Sequence, residues 1–309
     1  MTIDVLICTF NRSQRLKSAL ESILRARVPE GHRLRLIVVD NNSNDDTEQV
    51  VGSLQGGAEI VYVFEARQGK SYALNAGLGL LSGEVVAFTD DDVIVDENWL
   101  LEIIRAIERY PQYDCFGLKV VGVWPANVPS WLDVTGKMGF LRTALLDLAN
   151  RDQDQDGTYE GSKTPGGLSM FFRRAAVEEN GPFRIDLGPK GRRLGFSEDV
   201  EYCQRFLSRG KRFMYVSQAI VYHPVHPERL QKSYLLKWQF YCGRSEVRRT
   251  HGSRGIAMLL GAPRYLFRRV AEHAVGWTFS RTSKDRFYHR LRLYYGAGEL
   301  FEYIRLRFS

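Results

Sequence analysis

EVVAFTDDDVIVDENWL, residues 84–100, runs an apolar, β-branched segment straight into three consecutive aspartates. Adjacent carboxylates repel, and nothing in strand formation calls for three of them, so Asp90, Asp91 and Asp92 require positive partners. The run before them is too short for a helix and rich in strand formers, which reads as a strand ending at Asp90. If extended backbone persists through the triplet, Asp90 and Asp92 share one face and Asp91 points away. Two like charges on one face are tolerable when a divalent cation lies between them and a phosphate. Magnesium or manganese is held this way, by one or two carboxylates plus substrate phosphates. For a single Asp a solvated turn is the plainer reading; for three after Val-Val-Ala-Phe it is not.

The residues upstream place this strand fourth in a series. IDVLICT (3–9), LRLIVVD (34–40) and EIVYVFE (59–65) are short apolar runs, and helical patterns stand between them. Leu16, Ala19, Leu20, Ile23 and Leu24 fall at helical spacing behind a capping Ser13. NNSNDDT opens a second helix, SYALNAGLGLL (71–81) reads as a third, and a fourth runs from about Asp96 to Tyr110. The βαβαβαβ order predicts an α/β fold with a doubly wound, mostly parallel sheet. Ligands in such sheets bind beyond the strand C-termini, where Thr9, Asp40 and Asp90 fall.

Residues 111–227 are less regular. CFGLKVVGV (115–123) and LSMFFRR (168–174) read as strands around a long segment containing Trp, Pro and Gly, which is expected to cover substrate. A helix over Glu198–Ser208 and a strand over Phe213–Tyr222 follow. From Leu230 onward, SYLLKWQFY, RYLFRRVAEHAVGWTF and FYHRLRLYY carry apolar faces with Arg on the rest. The net charge of +7 is unevenly spread: 11 basic residues face 17 acidic ones in 1–110, 15 face 13 in 111–227, and 17 face 6 in 228–309. A basic, aromatic tail points to an anionic surface. No nucleic-acid motif is present, and the aromatics sit at helix-face spacing rather than as a stacking platform, so a membrane is preferred to nucleic acid. Packing of the same helices on the protein body is the competing expectation. The N-terminus reads as a strand rather than a signal peptide, no stretch reaches the ~18 apolar residues of a spanning helix, and four scattered cysteines suit a reducing compartment. A cytoplasmic protein, peripheral on the cytoplasmic face of a membrane, is expected.

Spacing argues against other readings of the acidic residues. An EF-hand beginning at Asp91 would need oxygen ligands at Val93 and Val95 and Gly at Asp96. DQDQDG (152–157) has Asp152, Asp154, Asp156 and Gly157 in place but Lys163 where the bidentate Glu belongs, and reads as a solvated loop. An aspartyl-phosphate hydrolase could use Asp90 and Asp92 with Lys211 and Glu198-Asp199, but leaves the N-terminal motifs unexplained. CTFNRS lacks the glycines of a dinucleotide turn. Taken singly, a helix-capping turn accounts for Asp40, and first-turn carboxylates complementing a helix dipole account for Glu198-Asp199.

VLICTFNR, VVDNNSNDDT, RQGKSYALNAG, the Asp triplet and SEDVEYCQR, in this order over residues 3 to about 227, resemble a family 2 glycosyltransferase of the GT-A fold. The resemblance implies that Thr9, Asn11, Arg12, Asp40, Asn42, Lys70, Asp90 and Asp91 line the site for a nucleotide sugar. It implies Asp92 and His223 at the metal, Mn2+ or Mg2+, with Asp91 as the alternative ligand because three consecutive Asp leave the register open. Asp199 matches the catalytic base of inverting members. Gly166, Gly167, Trp131 and Glu198, with the Arg192-Arg193 loop, are expected on the acceptor side. The chemistry agrees: a departing diphosphate needs a cation, and the acceptor hydroxyl needs a carboxylate to take its proton. The expected protein is a metal-dependent, inverting hexosyltransferase moving a sugar from a nucleoside diphosphate, a UDP-sugar, to a polysaccharide or lipid-linked acceptor. Residues 1–110 would form the donor half, 111–227 the acceptor and catalytic half, and 228–309 an amphipathic tail.

Overall fold

The computed structural model describes residues 1–146, 153–250 and 258–308. Its elements, in chain order, begin with β1 (Thr2–Thr9), α1 (Ser13–Arg25), β2 (Arg33–Asp40), α2 (Thr47–Gly52), β3 (Glu59–Phe64), α3 (Lys70–Leu78) and β4 (Val85–Asp90). They continue through β5 (Ile94–Val95), α4 (Trp99–Arg109), β6 (Cys115–Val123), α5 (Leu141–Leu146), β7 (Gly157–Thr158), β8 (Met170–Arg173), α6 (Arg174–Asn180), α7 (Glu198–Ser208) and β9 (Phe213–Pro224). The last are α8 (Lys232–Thr250), β10 (Met258–Leu259), β11 (Ala262–Pro263), α9 (Arg264–Phe279) and α10 (Ser283–Arg307).

Nine strands form one sheet in the order β3-β2-β1-β4-β8-β6-β9-β5, with β7 also on β9. The four N-terminal strands are parallel, as the βαβ order requires, while β8 joins β4 and β6 antiparallel. The chain winds outward from β1 to β3 and then returns to place β4 on the other side of β1. That reversal creates the topological switch point at the C-terminal ends of β1 and β4. The compact units are not contiguous in sequence. One comprises Met1–Val123, Leu146–Ile185 and Glu198–Pro224; the other comprises Trp124–Leu145, Asp186–Ser197 and Val225–Ser309. The divisions expected at 110 and 227 therefore differ: segments 124–145 and 186–197 fall in the unit that holds the C-terminal helices.

Local polar chemistry moves several element ends. α1 begins at Ser13, yet the Ser13 hydroxyl is not the cap: Asp45 of the β2–α2 loop accepts the Ser13 amide at 2.9 Å. α4 starts at Trp99 rather than Asp96, because the Asp96 carboxylate accepts the Asn98 amide at 2.9 Å in a turn of its own. β9 runs two residues further than expected, with His223 paired to Gly122. Its register slips between Val216 and Ile220, leaving Ser217–Ala219 as a bulge. Asp156 fills that bulge, accepting from the Ser217 amide and hydroxyl, both at 2.8 Å. Asp154 pairs with Lys119 at 2.6 Å. Asp156 is thus bound by protein partners, while Asp154, though paired, is 94% exposed as a solvated loop residue should be; Asp152 lies outside the described residues.

The core of the first unit is aromatic. Tyr202 and Phe206, one turn apart on α7, stack on Phe183 and Phe172 with centroids 3.8 and 4.9 Å apart. Phe88 of β4 meets Phe172 and Phe183 edge-on. Offset and edge contacts of this kind each add about 0.5–1.5 kcal/mol beyond area burial, so α7 is fixed against the sheet directly beneath its first turn.

In the second unit, α8 and α10 cross with their backbones in contact. A Cβ on Gly243 would lie 2.1 Å from the Tyr295 carbonyl oxygen, and one on Gly298 2.0 Å from that of Phe240. Beside the crossing, Glu302 is fully buried and accepts from Arg244 and Arg248 at 2.7 Å and Arg305 at 2.6 Å. Burial raises its pKa, but the three guanidinium hydrogen bonds outweigh this and bring it down to about 2. α9 is different: only Leu266 is buried, and Val275, Trp277 and Phe279 are exposed. Packing accounts for most of the apolar faces of α8 and α10, but leaves Phe301 and Ile304 of α10 and much of α9 exposed. Replacing Gly298 by Ala should force the helices apart and cost about 1–3 kcal/mol. A drop in the thermal unfolding midpoint relative to Gly52→Ala, where an added Cβ meets nothing within 4 Å, checks this.

Candidate active site

The switch point is where the aspartate triplet finds its partners. The strand ends at Asp90, so the alternation expected through Asp92 stops there, and Asp91 turns inward instead of away. Asp91 accepts from the buried Thr9 hydroxyl at 2.7 Å and from Arg12 at 2.8 Å. The same Arg12 nitrogen lies 3.4 Å from Asp92, whose other oxygen is 3.8 Å from Nε2 of His223. Asp91, Asp92 and His223 are all buried. Burial pushes the Asp91 carboxyl upward, against the pull of Arg12 and with the push of Asp92. The two carboxylates hold the Arg12 guanidinium firmly protonated.

Asp90 takes a different partner. Lys70, the first residue of α3, donates to it at 2.6 Å and stands 3.8 Å from Glu198. Lys70 therefore links the end of β4 to the first turn of α7. Asp199, beside Glu198, accepts the amides of Gly167 and Val200, both at 2.8 Å. A Cβ at Gly167 would press on Asp199 at 3.2 Å, so the loop carrying Gly166 and Gly167 approaches it closely. Ser197, just before this pair, holds a left-handed φ of 73°, a strained backbone for serine.

Asp40 is bound on both oxygens, by the Ser43 amide at 2.8 Å and the Tyr62 hydroxyl at 2.9 Å. Burial, and then this carboxylate, raise the Tyr62 phenol above its usual range. Of the two asparagines that follow, sequence reading chose Asn42, which is exposed at a left-handed turn. The ordered one is Asn41: its side chain accepts the Gly69 amide at 2.7 Å and donates to the Arg67 carbonyl at 2.8 Å, suspending the loop that delivers Lys70. Asn11 is likewise a loop pin, accepting the Asn44 amide at 2.8 Å. Tyr62 and Asn41 were missed; the one signal for Asn41 was its place directly after a strand.

Trp131 lies in the second unit, edge-on to Phe287 at 5.4 Å and beneath Lys232 at 5.0 Å. Arg193 closes a small turn on Lys190, with Arg192 inside it. Lys211, needed beside the triplet by the hydrolase reading, is bound to Asp114 at 2.6 Å. Among the described residues no three acidic, His or Cys side chains are grouped as a complete metal cage. Asp92 with His223 nevertheless fits a cation that takes one or two protein groups and fills its other positions from a diphosphate.

A mostly parallel doubly wound sheet with an aspartate run at its switch point is the GT-A arrangement of glycosyltransferases. Residues 4–179 match the model of glycosyl transferase family 2, and the chain belongs to that family. It is 24% identical over 249 residues to the glucosyl-dolichyl phosphate glucuronosyltransferase of Haloferax volcanii, covering 80% of this chain and 76% of that one. In fold it is similar to the mannosyltransferase PcManGT from Pyrobaculum calidifontis, solved with GDP-Man and Mn2+, with a TM-score of 0.61 at 17% identity over 97% of this chain and 86% of that one. It is also similar to residues 1–349 of S. aureus TarS, solved with UDP, with a TM-score of 0.55 at 18% identity over 97% and 90%. The chain spans 55% of the longer TarS chain.

Arg12→Gln would leave Asp91 and Asp92 buried without their shared counter-charge. A loss of about 1–3 kcal/mol at pH 7 is expected, below the usual cost of breaking a buried pair because the Arg12 side chain is 41% exposed. The folded variant would retain protons that the unfolded chain has released, so the deficit should shrink as pH falls toward 4. Urea unfolding of both proteins at pH 7 and pH 4.5 measures it.

Proposed function

We propose that this family 2 glycosyltransferase transfers a hexose, with inversion, from a nucleoside diphosphate sugar, a UDP-sugar, to a saccharide or lipid-linked acceptor, assisted by Mn2+ or Mg2+. The observation that carries the reading is Lys70, which ties the aspartate triplet to the helix turn bearing Asp199. The donor lies along the ends of β1, β2 and β4, with Asp40 toward the base and Asp90 toward the ribose. When bound at Asp92 and His223, the cation neutralises charge developing on the departing diphosphate. Arg12 and Lys70 hold their carboxylates in place and add positive potential beside the same phosphates.

Asp199 is the base. The Gly167 and Val200 amides fix its carboxylate while leaving lone pairs for the acceptor hydroxyl. As the hydroxyl oxygen bonds to the anomeric carbon, the bond to the diphosphate breaks, the proton passes to Asp199, and the nucleoside diphosphate leaves. One base and no covalent intermediate means a single displacement, so an α-linked donor gives a β product. Support for the donor class and the metal comes from the two similar structures, which hold GDP-Man with Mn2+ and UDP; for a lipid-linked acceptor it comes from the name of the archaeal relative.

Asp199→Asn should lower kcat about 10²–10⁴-fold with nucleotide affinity close to wild type, and Asp92→Ala should abolish metal-dependent donor binding in a folded protein. Transfer with NMR of the anomeric product reads both. Full activity in EDTA, or retention of configuration, contradicts the scheme; a dead Asp91→Ala beside an active Asp92→Ala would move the metal ligand by one residue.

The tail is proposed to rest on the cytoplasmic face of an anionic membrane. No described helix is long and apolar enough to cross one. Leu259 and Leu260 form an exposed turn whose Gly261 lies against Arg307, beside exposed Phe308 and Ile304. An apolar surface flanked by Arg305 and Arg307 suits the headgroup boundary. Flotation with phosphatidylglycerol vesicles, absent with phosphatidylcholine, weakened by salt and reduced by Leu259→Ser with Leu260→Ser, is the expected result.

A further inference from the structure

We propose that an open cleft between α8 and α10 is a binding site for a phosphate or diphosphate carried on a hydrocarbon chain. The cleft has a volume of about 500 Å³ and is lined by Lys232, Lys237 and Arg290 together with Leu236, Phe240 and Tyr294. Its lining includes three cations and no acidic side chain. None of the three forms an ion pair with a described carboxylate, in a unit where Arg244, Arg248, Arg269 and Lys284 all do. Their neighbours are aromatic instead. Lys232 stands over Trp131 and Phe287 at 5.0 and 5.4 Å, and Arg290 over Trp277 and Tyr294 at 5.7 and 5.9 Å. The Arg290 Nε is buried without a hydrogen-bond partner. Like charges gathered in one cleft repel, so this arrangement is at its most favourable when an anion occupies it.

The apolar wall decides what kind of anion. A site for a free phosphate needs donors alone; here Leu236, Phe240 and Tyr294 offer a hydrocarbon surface beside the charges. Lys232 and Ser233 also begin α8, whose first turn contains no acidic residue, so the positive end of the helix dipole adds to the potential. A carrier with a charged head and an apolar body matches both halves. In the proposed transfer this would be the phosphate end of a lipid-linked acceptor, and the assignment rests on that reading only for the identity of the carrier.

Binding to the full chain can be measured without turnover, by intrinsic tryptophan fluorescence with farnesyl diphosphate, farnesol, inorganic pyrophosphate and phosphatidylglycerol vesicles as probes. Saturable binding of farnesyl diphosphate is expected at least tenfold tighter than that of pyrophosphate or farnesol. Lys237→Glu, a change on an exposed side chain, and Lys232→Gln with Arg290→Gln should each weaken it roughly tenfold or more. UDP binding and the melting temperature should hold in both variants. Equal affinity for pyrophosphate would make the cleft a free-anion site and overturn the hydrocarbon assignment. Binding unchanged by both variants, or seen only with vesicles and insensitive to Lys237→Glu, would overturn the site. Loss of transferase activity in Asp199→Asn with farnesyl diphosphate binding intact keeps the two readings separable.

Discussion

Three carboxylates in sequence at the mouth of a parallel sheet stay together only because they are divided between cations. Arg12 takes Asp91 and Asp92, and Lys70 takes Asp90. Each cation stands at the start of a different crossover helix, Arg12 just before α1 and Lys70 opening α3, so the division of charge also fixes how those helices leave the sheet. The loops behind them are arranged accordingly. Asn41 suspends the segment before Lys70, and Asn11 with Asp45 locks the segment around Arg12 to the β2–α2 loop. The switch-point end of the sheet is thus ordered mainly by polar bonds between loops, on a scaffold whose strands are covered by aliphatic side chains.

The other side of the site is ordered by aromatic packing. Tyr202 and Phe206 hold α7 to Phe183 and Phe172, which places Glu198 and Asp199 at a fixed height above the sheet. Lys70 joins the two systems. A carboxylate acting as a base gains from such support, because a displacement of even an ångström removes it from the proton it must take.

The parallel half of the fold was legible because its signals are local: apolar runs of strand length alternate with helical spacing; outside it, β6 and α9 also have the boundaries their patterns give. The partition of the triplet was not legible. Alternation assumes that a strand continues, and β4 ends at Asp90, after which a turn presents Asp91 and Asp92 to the same guanidinium. The choice between Asn41 and Asn42 rests on backbone sign, which sequence does not display for asparagine. Within the acidic loop the role of Asp156 was not legible for a related reason, since the bulge in β9 that it fills arises from pairing with β6, remote in sequence. In the tail, helical spacing found the apolar faces but could not distinguish side chains meeting another helix from those left at the surface. Gly243 and Gly298 carry no hydrophobic signal at all, although they set how closely α8 and α10 approach.

β9 lies between β6 and β5 and also holds β7, yet it is the last strand of the sheet to be made. During synthesis the parallel strands β1 to β4 can pair as they leave the ribosome, whereas β5, with its two residues after the triplet, has nothing to join for more than a hundred residues. The emerging chain therefore carries the four parallel strands before the strand that completes the acidic corner. His223 arrives with β9 and closes that corner. In chain order, the imidazole that shares the pocket of Asp91 and Asp92 is thus the last of its side chains to be made.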